Sequence, residues 1–483
     1  MDPIVIIGGG IAGATCAKVF SLDNPAFDVI LISASPVVKM VANLRTIGRS
    51  IDIFDVIEQN SSALENINLK VLHNNVILLD SKKRTVTLDN GSVIKYSKLA
   101  ICTGAKPKMI PMQNDINVKR FIKCIRDTET AKDFQSILST SKRIIIVGNG
   151  GIATELVYEV SGCEIVWAIK DNNFGATFFD SVVSKFFSDF LKEDPASKSD
   201  QITKRHHFTV NQAESEQKNE FGVALGPDWH NGFSMIGKSQ KNVVIEKCCQ
   251  ISNIYRDVAS IPTEKSSHIV KSTDQDNWNV YVELSTGQIY GCDMVISATG
   301  VLPNSQVFTE NNTFTLGADK ALLVDNEMRT SIEHIYAAGD VCAAGWPLAA
   351  HWFQMRLWTQ ARQMGFYAAK CISAHIHKTS PELYFNFDVF THVTRFFGLR
   401  VILLGLYNGQ GLPLEDCSIQ CRVTAKKELI KVVLRNGSMQ GAVLIGETDF
   451  EETFEKLIYN QFDLSRFGEH LLDDVVDVED FFD

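Results

Sequence analysis

The stretch that decides the fold is Pro3-Ile4-Val5-Ile6-Ile7-Gly8-Gly9-Gly10-Ile11-Ala12-Gly13. Its apolar start predicts a short buried strand, and the apolar spacing from Ala14 to Phe20 predicts a helix. Between them, the first glycine allows a tight turn, the second lets the backbone approach a pyrophosphate, and the third lets the helix pack closely. The helix N-terminus adds partial positive charge. The pattern therefore indicates a dinucleotide site, with a purely steric glycine turn as the weaker alternative.

The same pattern returns in Arg143-Ile144-Ile145-Ile146-Val147-Gly148-Asn149-Gly150-Gly151-Ile152-Ala153, and a helical pattern follows it. Ala153 replaces the third glycine, which is tolerable because that position governs helix packing and not the approach to phosphate. Two such patterns in one chain predict two bound dinucleotides or two halves of one site.

Neither unit has the acid that usually binds ribose hydroxyls about 20 residues past the glycines. The strand predicted at 27–33 ends at Ser33, which bonds a ribose more weakly than a carboxylate does. Lys39 and Arg45 follow in a predicted loop, where they either reach phosphate or are solvated. The strand predicted at 164–170 ends at Lys170, which either accepts a 2′-phosphate or is solvated. The choice between NAD and NADP stays open.

Residues 68–101 alternate in hydrophobicity and predict a β-meander that ends at the turn Thr103-Gly104. A later strand leads to Ala298-Thr299-Gly300, and another leads to Gly339-Asp340. There the carboxylate either binds polyol hydroxyls or caps the next helix. An amphipathic helix is predicted over 354–372, and strands followed by a helix at about 450–460 predict a small C-terminal α+β domain.

The composition limits the function classes. A net charge of -10 over 483 residues argues against a nucleic-acid surface spread over the whole molecule. We expect no secretory signal and no membrane span, hence a soluble intracellular protein that binds neither membrane nor nucleic acid directly. The 11 cysteines match neither a zinc pattern nor a disulfide framework, so we predict no metal. Cys248 with Cys249, and Cys417 with Cys421, are minor candidates for redox activity.

Two polar segments interrupt the regular patterns. Residues from about 194 to 241 have the composition of a long insertion. Trp229 within it either anchors the insertion to the core, which we favour, or meets a partner. The tail from Asp473 to Asp483 is acidic, and it is either a solvated terminus or a docking peptide that uses Phe481 and Phe482.

The order of these motifs resembles the pyridine nucleotide-disulfide oxidoreductase superfamily of two-dinucleotide flavoproteins, over almost the whole chain. The resemblance implies an α/β fold with two Rossmann-like dinucleotide-binding domains, arranged as in glutathione reductase, and a small C-terminal α+β domain. It implies an FAD-binding domain over 1–115 and 293–375, an NAD(P)H-binding domain over 116–292, and the C-terminal domain over 380–483.

The resemblance also implies the site residues. The predicted FAD ligands, with Asp340 at the ribityl chain, are Gly8, Gly10, Ile11, Ala12, Gly13, Ser33, Lys39, Val76, Thr103, Gly104, Asp340 and Val341. The predicted ligands of NADH or NADPH are Gly148, Gly150, Gly151, Ile152, Glu155, Lys170 and Gly300. Glu155, near the nicotinamide, is the candidate catalytic residue.

One departure from the superfamily bears on function. Relatives that reduce disulfides carry reactive cysteine just after the second strand, whereas this chain has none between Cys16 and Cys102. We therefore predict an FAD-dependent NAD(P)H oxidoreductase without a CxxC relay, which passes electrons from flavin N5 to an unidentified acceptor.

A second reading follows from a closer resemblance to one member of the superfamily. It implies a redox-responsive, NAD(P)H-dependent binding protein that shields the tRNA-splicing ligase complex from oxidation, in the nucleus and cytoplasm. The C-terminal block resembles the interface domain of dimeric relatives, so either a monomer or a homodimer is expected.

Overall fold

The computed structural model describes residues 2–110, 116–192, 229, 233–270, 277–382 and 387–473. Most of the predicted insertion, and the acidic tail beyond Asp473, lie outside the described residues. The chain divides into two compact units. In the described ranges, the first unit contains 2–106, Trp229, 301–382 and 387–473, and the second contains 107–110, 116–192, 233–270 and 277–300.

Both units contain helices and strands. The helices are α1 (Ile11–Asp23), α2 (Ile116–Lys119), α3 (Thr128–Leu138), α4 (Gly151–Glu159), α5 (Ser181–Phe187), α6 (Gln306–Thr309), α7 (Trp358–His377) and α8 (Glu451–Asn460). The strands are β1 (Ile4–Ile7), β2 (Val29–Ser33), β3 (Val37–Ile47), β4 (Ile51–Asn60), β5 (Leu69–His73), β6 (Val76–Asp80), β7 (Thr85–Leu88), β8 (Val93–Lys95), β9 (Lys98–Ile101), β10 (Ala105–Pro107), β11 (Ile122–Lys123), β12 (Arg143–Val147), β13 (Glu164–Ala168), β14 (Asn242–Glu246), β15 (Ile251–Tyr255), β16 (Val280–Leu284), β17 (Ile289–Cys292), β18 (Met294–Ser297), β19 (Val301–Pro303), β20 (Leu322–Val324), β21 (Ile335–Ala337), β22 (Cys342–Ala344), β23 (Thr391–Phe396), β24 (Leu399–Gly405), β25 (Cys417–Thr424), β26 (Glu428–Arg435) and β27 (Ser438–Ile445).

The first unit contains a five-stranded parallel sheet in the order β21-β9-β1-β2-β5. Every residue of β1 is buried, as expected for a central strand whose apolar run is covered on both faces. Helix α1 follows β1 and packs closely on α7, because a Cβ at Gly365 would overlap the backbone of Ala12. The carboxyl ends of these parallel strands meet at one edge, where dinucleotides bind in open α/β sheets.

Two predictions in this region were wrong in detail. Residues 68–101 do not form one meander, because β5 and β9 join the parallel sheet and only β6, β7 and β8 pair antiparallel. Lys39 and Arg45 do not lie in a loop. They belong to β3, which pairs antiparallel with β4 to form a long ribbon. The two strands of the ribbon pair with each other, but its tip is held by Glu455, near the C-terminus. Local sequence patterns do not reveal such a distant contact.

The C-terminal block of the first unit is an antiparallel sheet in the order β23-β24-β27-β26-β25, with α8 packed on one face. The predicted strands and closing helix are present, and β23 is an additional edge strand. Helix α7 begins at Trp358 and not at 354, because the Met355 N–H donates to Gln360 Oε1 at 2.8 Å and the N-cap residue Leu357 is extended.

The second unit has its own five-stranded parallel sheet, β11-β18-β12-β13-β14, and a three-stranded antiparallel sheet, β15-β16-β17. Strand β12 is wholly buried and runs into the second glycine turn, which α4 follows. Each unit thus repeats the order strand, glycine turn, helix. The α/β class with two Rossmann-like units and a small C-terminal domain, predicted from the sequence, is confirmed.

Candidate functional site

The first glycine turn connects β1 to α1. Gly8 has φ +121°, and a Cβ there would overlap the carbonyl oxygen of Cys102 on the neighbouring strand end. Gly13 is equally confined, since its Cβ would overlap the Gly8 carbonyl. These two glycines therefore serve the close packing of strand and helix.

Gly10 has a different role in the same turn. Gly10 is the N-cap residue of α1, and no side-chain hydrogen bond caps the helix there. A Cβ at Gly10 would meet nothing within 4 Å. No acidic residue stands in the first turn of the helix. The first N–H groups of a helix have no partner within the helix, so those of Ile11, Ala12 and Gly13 suit an anion placed over Gly10. The open position fits the pyrophosphate of a dinucleotide.

Ser33 and Lys39 lie against this turn, but both have protein partners. The buried Ser33 hydroxyl donates to the Ser35 carbonyl at 2.8 Å. The Lys39 ammonium pairs with Glu58 Oε1 at 2.7 Å, while the Lys39 N–H donates to the Gly9 carbonyl at 2.9 Å. Their contact with FAD stays a prediction, as does that of Val76, which begins β6.

The Thr103-Gly104 turn is fixed by a residue to which the sequence assigned no role. The Thr103 hydroxyl donates to the Asn304 carbonyl at 2.9 Å, and Asn304 Nδ2 donates to the Thr103 carbonyl at 3.0 Å. The Asn304 N–H also donates to the Gly104 carbonyl at 2.9 Å. Gly104 itself, with φ +64°, has open space where its Cβ would be. Asn304 thus holds the turn through three hydrogen bonds, and the open space beside Gly104 leaves room for a ligand.

Asp340 lies beside the start of α1. The preceding Gly339 packs on Ala12: a Cβ added to Gly339 would lie 2.9 Å from the Ala12 Cβ. Arg356 Nε donates to the Asp340 carbonyl at 3.0 Å, and the same guanidinium pairs with Asp319. Val341 is fully buried, whereas Asp340 is only partly buried. The first unit therefore brings the predicted ribityl ligand next to the predicted pyrophosphate turn, with Arg356 as a positioning residue that the sequence pattern did not single out.

The thiols near this turn are buried. Burial raises the pKa of Cys102 to about 12, and burial followed by the charges of Cys102 and Asp340 raises the pKa of Cys342. Protonated thiols are poor nucleophiles. The segment after β2 is the β3–β4 ribbon, which contains no cysteine.

The second glycine turn repeats the first with one substitution. A Cβ at Gly148, which has φ +133°, would overlap the Ala298 carbonyl, whereas a Cβ at Gly150 would meet nothing within 4 Å. Ala153 is fully buried in the packing position. Gly151 and Ile152 begin α4, and Glu155 lies one turn further along it, partly buried.

Asn149 organises the loop that follows β13. Its Nδ2 donates to Asp171 Oδ2 and to the Asn173 carbonyl, both at 2.8 Å, and its Oδ1 accepts from the Gly175 N–H. Asp171 is therefore held beside the glycine turn, while Lys170 is exposed. Asp171 is not among the residues predicted from the sequence, because the strand was expected to end at Lys170. Its distance of about 20 residues from the glycines was the signal.

Gly300 completes the predicted residues of the second unit. It has φ +101°, and its Cβ position is open. The neighbouring Thr299 hydroxyl donates to the Lys108 carbonyl at 2.8 Å, and the Lys108 N–H donates to the Gly300 carbonyl at 2.9 Å. As at Gly104, hydrogen bonds hold the turn while the space beside the glycine stays open.

A family model described as pyridine nucleotide-disulphide oxidoreductase matches residues 2–220 and 254–365, which include both glycine turns and the Gly339-Asp340 strand end. The chain belongs to the pyridine nucleotide-disulphide oxidoreductase family. Membership of the family confirms the prediction that the cofactors are FAD and NAD(P)H. It also makes the chain a flavin-dependent NAD(P)H oxidoreductase.

Close relatives within the family span nearly the whole chain. Pyridine nucleotide-disulfide oxidoreductase domain-containing protein 1 of Rattus norvegicus is 47% identical, covering 99% of this chain and 98% of the relative. The Homo sapiens protein of that name is 46% identical, with coverage of 99% and 97%.

Solved structures of this oxidoreductase type share the fold at low identity. The covalent putidaredoxin reductase–putidaredoxin complex matches with a TM-score of 0.66 at 14% identity, covering 100% of this chain and 98% of that one. The water-forming NADH oxidase from Lactobacillus brevis, bound to NADH, matches with a TM-score of 0.64 at 15% identity, with coverage of 99% and 94%.

Two further properties concern the described residues alone. Their helices include none that is both long enough and apolar enough to cross a membrane. Their His, Cys, Asp and Glu side chains form no group of three or more that could hold a metal ion.

Proposed function

We propose that the chain is an FAD-dependent NAD(P)H oxidoreductase that delivers its electrons to an acceptor other than a disulfide of its own. FAD, when bound, would supply the acceptor for hydride from the nicotinamide, which is chemistry of the cofactors themselves. The protein's part is to bind and orient them. In this proposal Gly10 and Asp340 serve the FAD, and Gly150 and Glu155 serve the NAD(P)H.

The observation that carries the proposal is the contrast among the glycines of the two turns. Gly8 and Gly148 leave no room for a side chain, whereas Gly10 and Gly150 face open space. Packing explains the first pair. A backbone that must be approached by a ligand explains the second pair, at the two helix N-termini where phosphate is favoured.

The thiols argue against one kind of acceptor, a disulfide of the chain itself. With no cysteine in the β3–β4 ribbon, and with Cys102 and Cys342 buried, a built-in dithiol step has no support in the described residues. We infer that reduced flavin reacts with a small acceptor, or slowly with oxygen. Stopped-flow reduction of the holoprotein, followed by reoxidation with a panel of quinones, dyes and oxygen, tests this. Fast turnover with a defined acceptor supports the proposal, and no turnover with any of them contradicts it.

The second candidate is a binding protein whose reduced, nucleotide-bound form shields the tRNA-splicing ligase complex from oxidation in the nucleus and cytoplasm. The missing thiol relay favours it, because a reduced flavin without a built-in outlet is suited to a long-lived state. A pull-down of the purified ligase complex, with and without NADH or NADPH, tests it. Capture only with reduced nucleotide supports a binding role, and nucleotide-independent or absent capture contradicts it.

A further inference from the structure

The β3–β4 ribbon has its root at the first glycine turn. The Lys39 N–H donates to the Gly9 carbonyl at 2.9 Å. Val38 is fully buried, and its Cγ1 would lie 3.3 Å from a Cβ on Gly9. Across the ribbon, Lys39 pairs with Glu58 at 2.7 Å. The position of Gly9 is therefore tied to the position of the ribbon.

The tip of the same ribbon is fixed by one carboxylate. Glu455 on α8 is 2% exposed and accepts from the Arg49 N–H and the Ser50 N–H, both at 2.7 Å, and from the Ser50 hydroxyl. A Cβ at Gly48 would overlap this carboxylate. Hydrogen bonds to a charged group are roughly twice as strong as neutral ones, and leaving such donors buried without an acceptor is costly. Glu455 therefore acts as a latch for the tip.

Neighbouring contacts anchor the tip in the C-terminal sheet domain. Ile51 belongs to the apolar core formed by that sheet and α8. The Thr391 hydroxyl on β23 donates to the Ser50 carbonyl at 2.9 Å. Asp52 accepts from Thr46 at 2.8 Å and pairs with Arg362 on α7. The tip is thus held by the C-terminal sheet, by α8 and by α7, although it follows β2 in sequence.

The ribbon is long enough to connect distant places. The stretch from Lys39 to Gly48 spans about 30 Å at the usual rise of a strand. Cross-strand pairing over most of its length makes it stiffer than a single extended chain. One bulge, between Ala42 and Arg45, interrupts the pairing, and there Asn43 Nδ2 donates to Asp55 Oδ2 at 2.7 Å. A displacement of the tip would therefore reach the root.

We propose that Glu455 is a positioning residue of the flavin site: it holds the ribbon tip, and the ribbon holds Gly9 and Lys39 at the turn that binds FAD. The proposal rests on the proposed function, since it takes FAD to be the ligand of that turn. Coupling between two sites is reciprocal. FAD binding therefore strengthens the latch, and loss of the latch weakens FAD binding.

The test compares three variants of the full chain after removal and re-addition of FAD. Glu455→Gln keeps the shape but turns an amide toward two N–H donors, and Ser50→Ala removes only the hydroxyl. Glu452→Gln is the matched control, because Glu452 lies on the same helix and makes an exposed pair with Lys456. We expect the Kd for FAD to rise about tenfold in Glu455→Gln and about threefold in Ser50→Ala, and to change less than about twofold in the control.

A second readout follows the reciprocal effect. Hydrogen exchange at the Arg49 and Ser50 amides should slow when wild-type protein is saturated with FAD, and this protection should shrink in Glu455→Gln. If Glu455→Gln does not fold, Ser50→Ala carries the test alone. Wild-type FAD affinity in every folded variant, even with a lowered melting temperature, would overturn the proposal and leave Glu455 a structural residue. A wild-type protein that takes up no FAD would overturn the proposed function first, before any variant is compared.

Discussion

The two glycine turns share a plan and differ at their second position. In the first turn that position is Gly9, which is covered by Ser33 and Val38 and bonded through its carbonyl to the backbone of the ribbon. In the second turn it is Asn149, whose side chain bonds the loop after β13. One turn is braced by backbone from outside, and the other by its own side chain. The comparison teaches that a GxGxxG pattern specifies the open phosphate position, while the residue between the glycines specifies how the turn is held.

The largest effect on stability is expected at the first glycine of each turn, where a side chain has no room. Gly8→Ala and Gly148→Ala should each lower the free energy of unfolding by about 3 kcal/mol or more, because each Cβ overlaps a carbonyl at a positive φ. Denaturant titration of the apoprotein measures this. Wild-type stability in either variant would break the proposed equivalence of the two turns.

The next prediction separates the turns by ligand. Gly10→Trp should fold but lack flavin absorbance, and Gly150→Trp should stay yellow but resist reduction by NADH and NADPH, because each indole fills an open phosphate position. Absorbance spectra and melting temperatures of the purified variants distinguish lost binding from lost folding. Full colour in Gly10→Trp would contradict the assignment of the first turn.

A smaller effect is expected at the side-chain brace. Asn149→Ala should weaken NAD(P)H binding about tenfold, since the buried Gly175 N–H and Asn173 carbonyl lose their partner, at a cost of about 1 to 2 kcal/mol. FAD content should not change. Asn172→Ala, an exposed neighbour on the same loop, is the control. Equal losses in the two variants would contradict a bracing role for Asn149.

The smallest expected effect concerns the choice of nucleotide. A carboxylate at Asp171 repels a 2′-phosphate, so NADH should reduce the flavin more efficiently than NADPH does. Asp171→Ala should lower the ratio of the NADH rate to the NADPH rate by about threefold, which corresponds to about 0.7 kcal/mol. Steady-state kinetics with both nucleotides measures the ratio. A wild-type preference for NADPH would favour Lys170 instead.

The sequence was informative where structure is local. Both strand–turn–helix units, the strand ends at Gly104 and Gly300, and most of the C-terminal strands follow from periodicity and glycine spacing. These features depend on residues within about one element of each other.

What the sequence did not reveal depends on distant partners. The ribbon tip is held by Glu455, which is some 400 residues away in the chain. Asn304 and Arg356 brace turns that they do not adjoin in sequence. The residues that hold the turns in place were therefore not predicted, and the cofactor contacts of the predicted site residues stay predictions.

The most direct test of the account is the absorbance spectrum of the purified protein before and after anaerobic addition of NADH and of NADPH. We predict a yellow protein whose visible flavin band bleaches on addition of a reduced nicotinamide, with no change in the number of free thiols. A colourless protein that cannot be reconstituted with FAD would contradict it. So would a gain of two thiols on reduction, because this would reveal a disulfide relay.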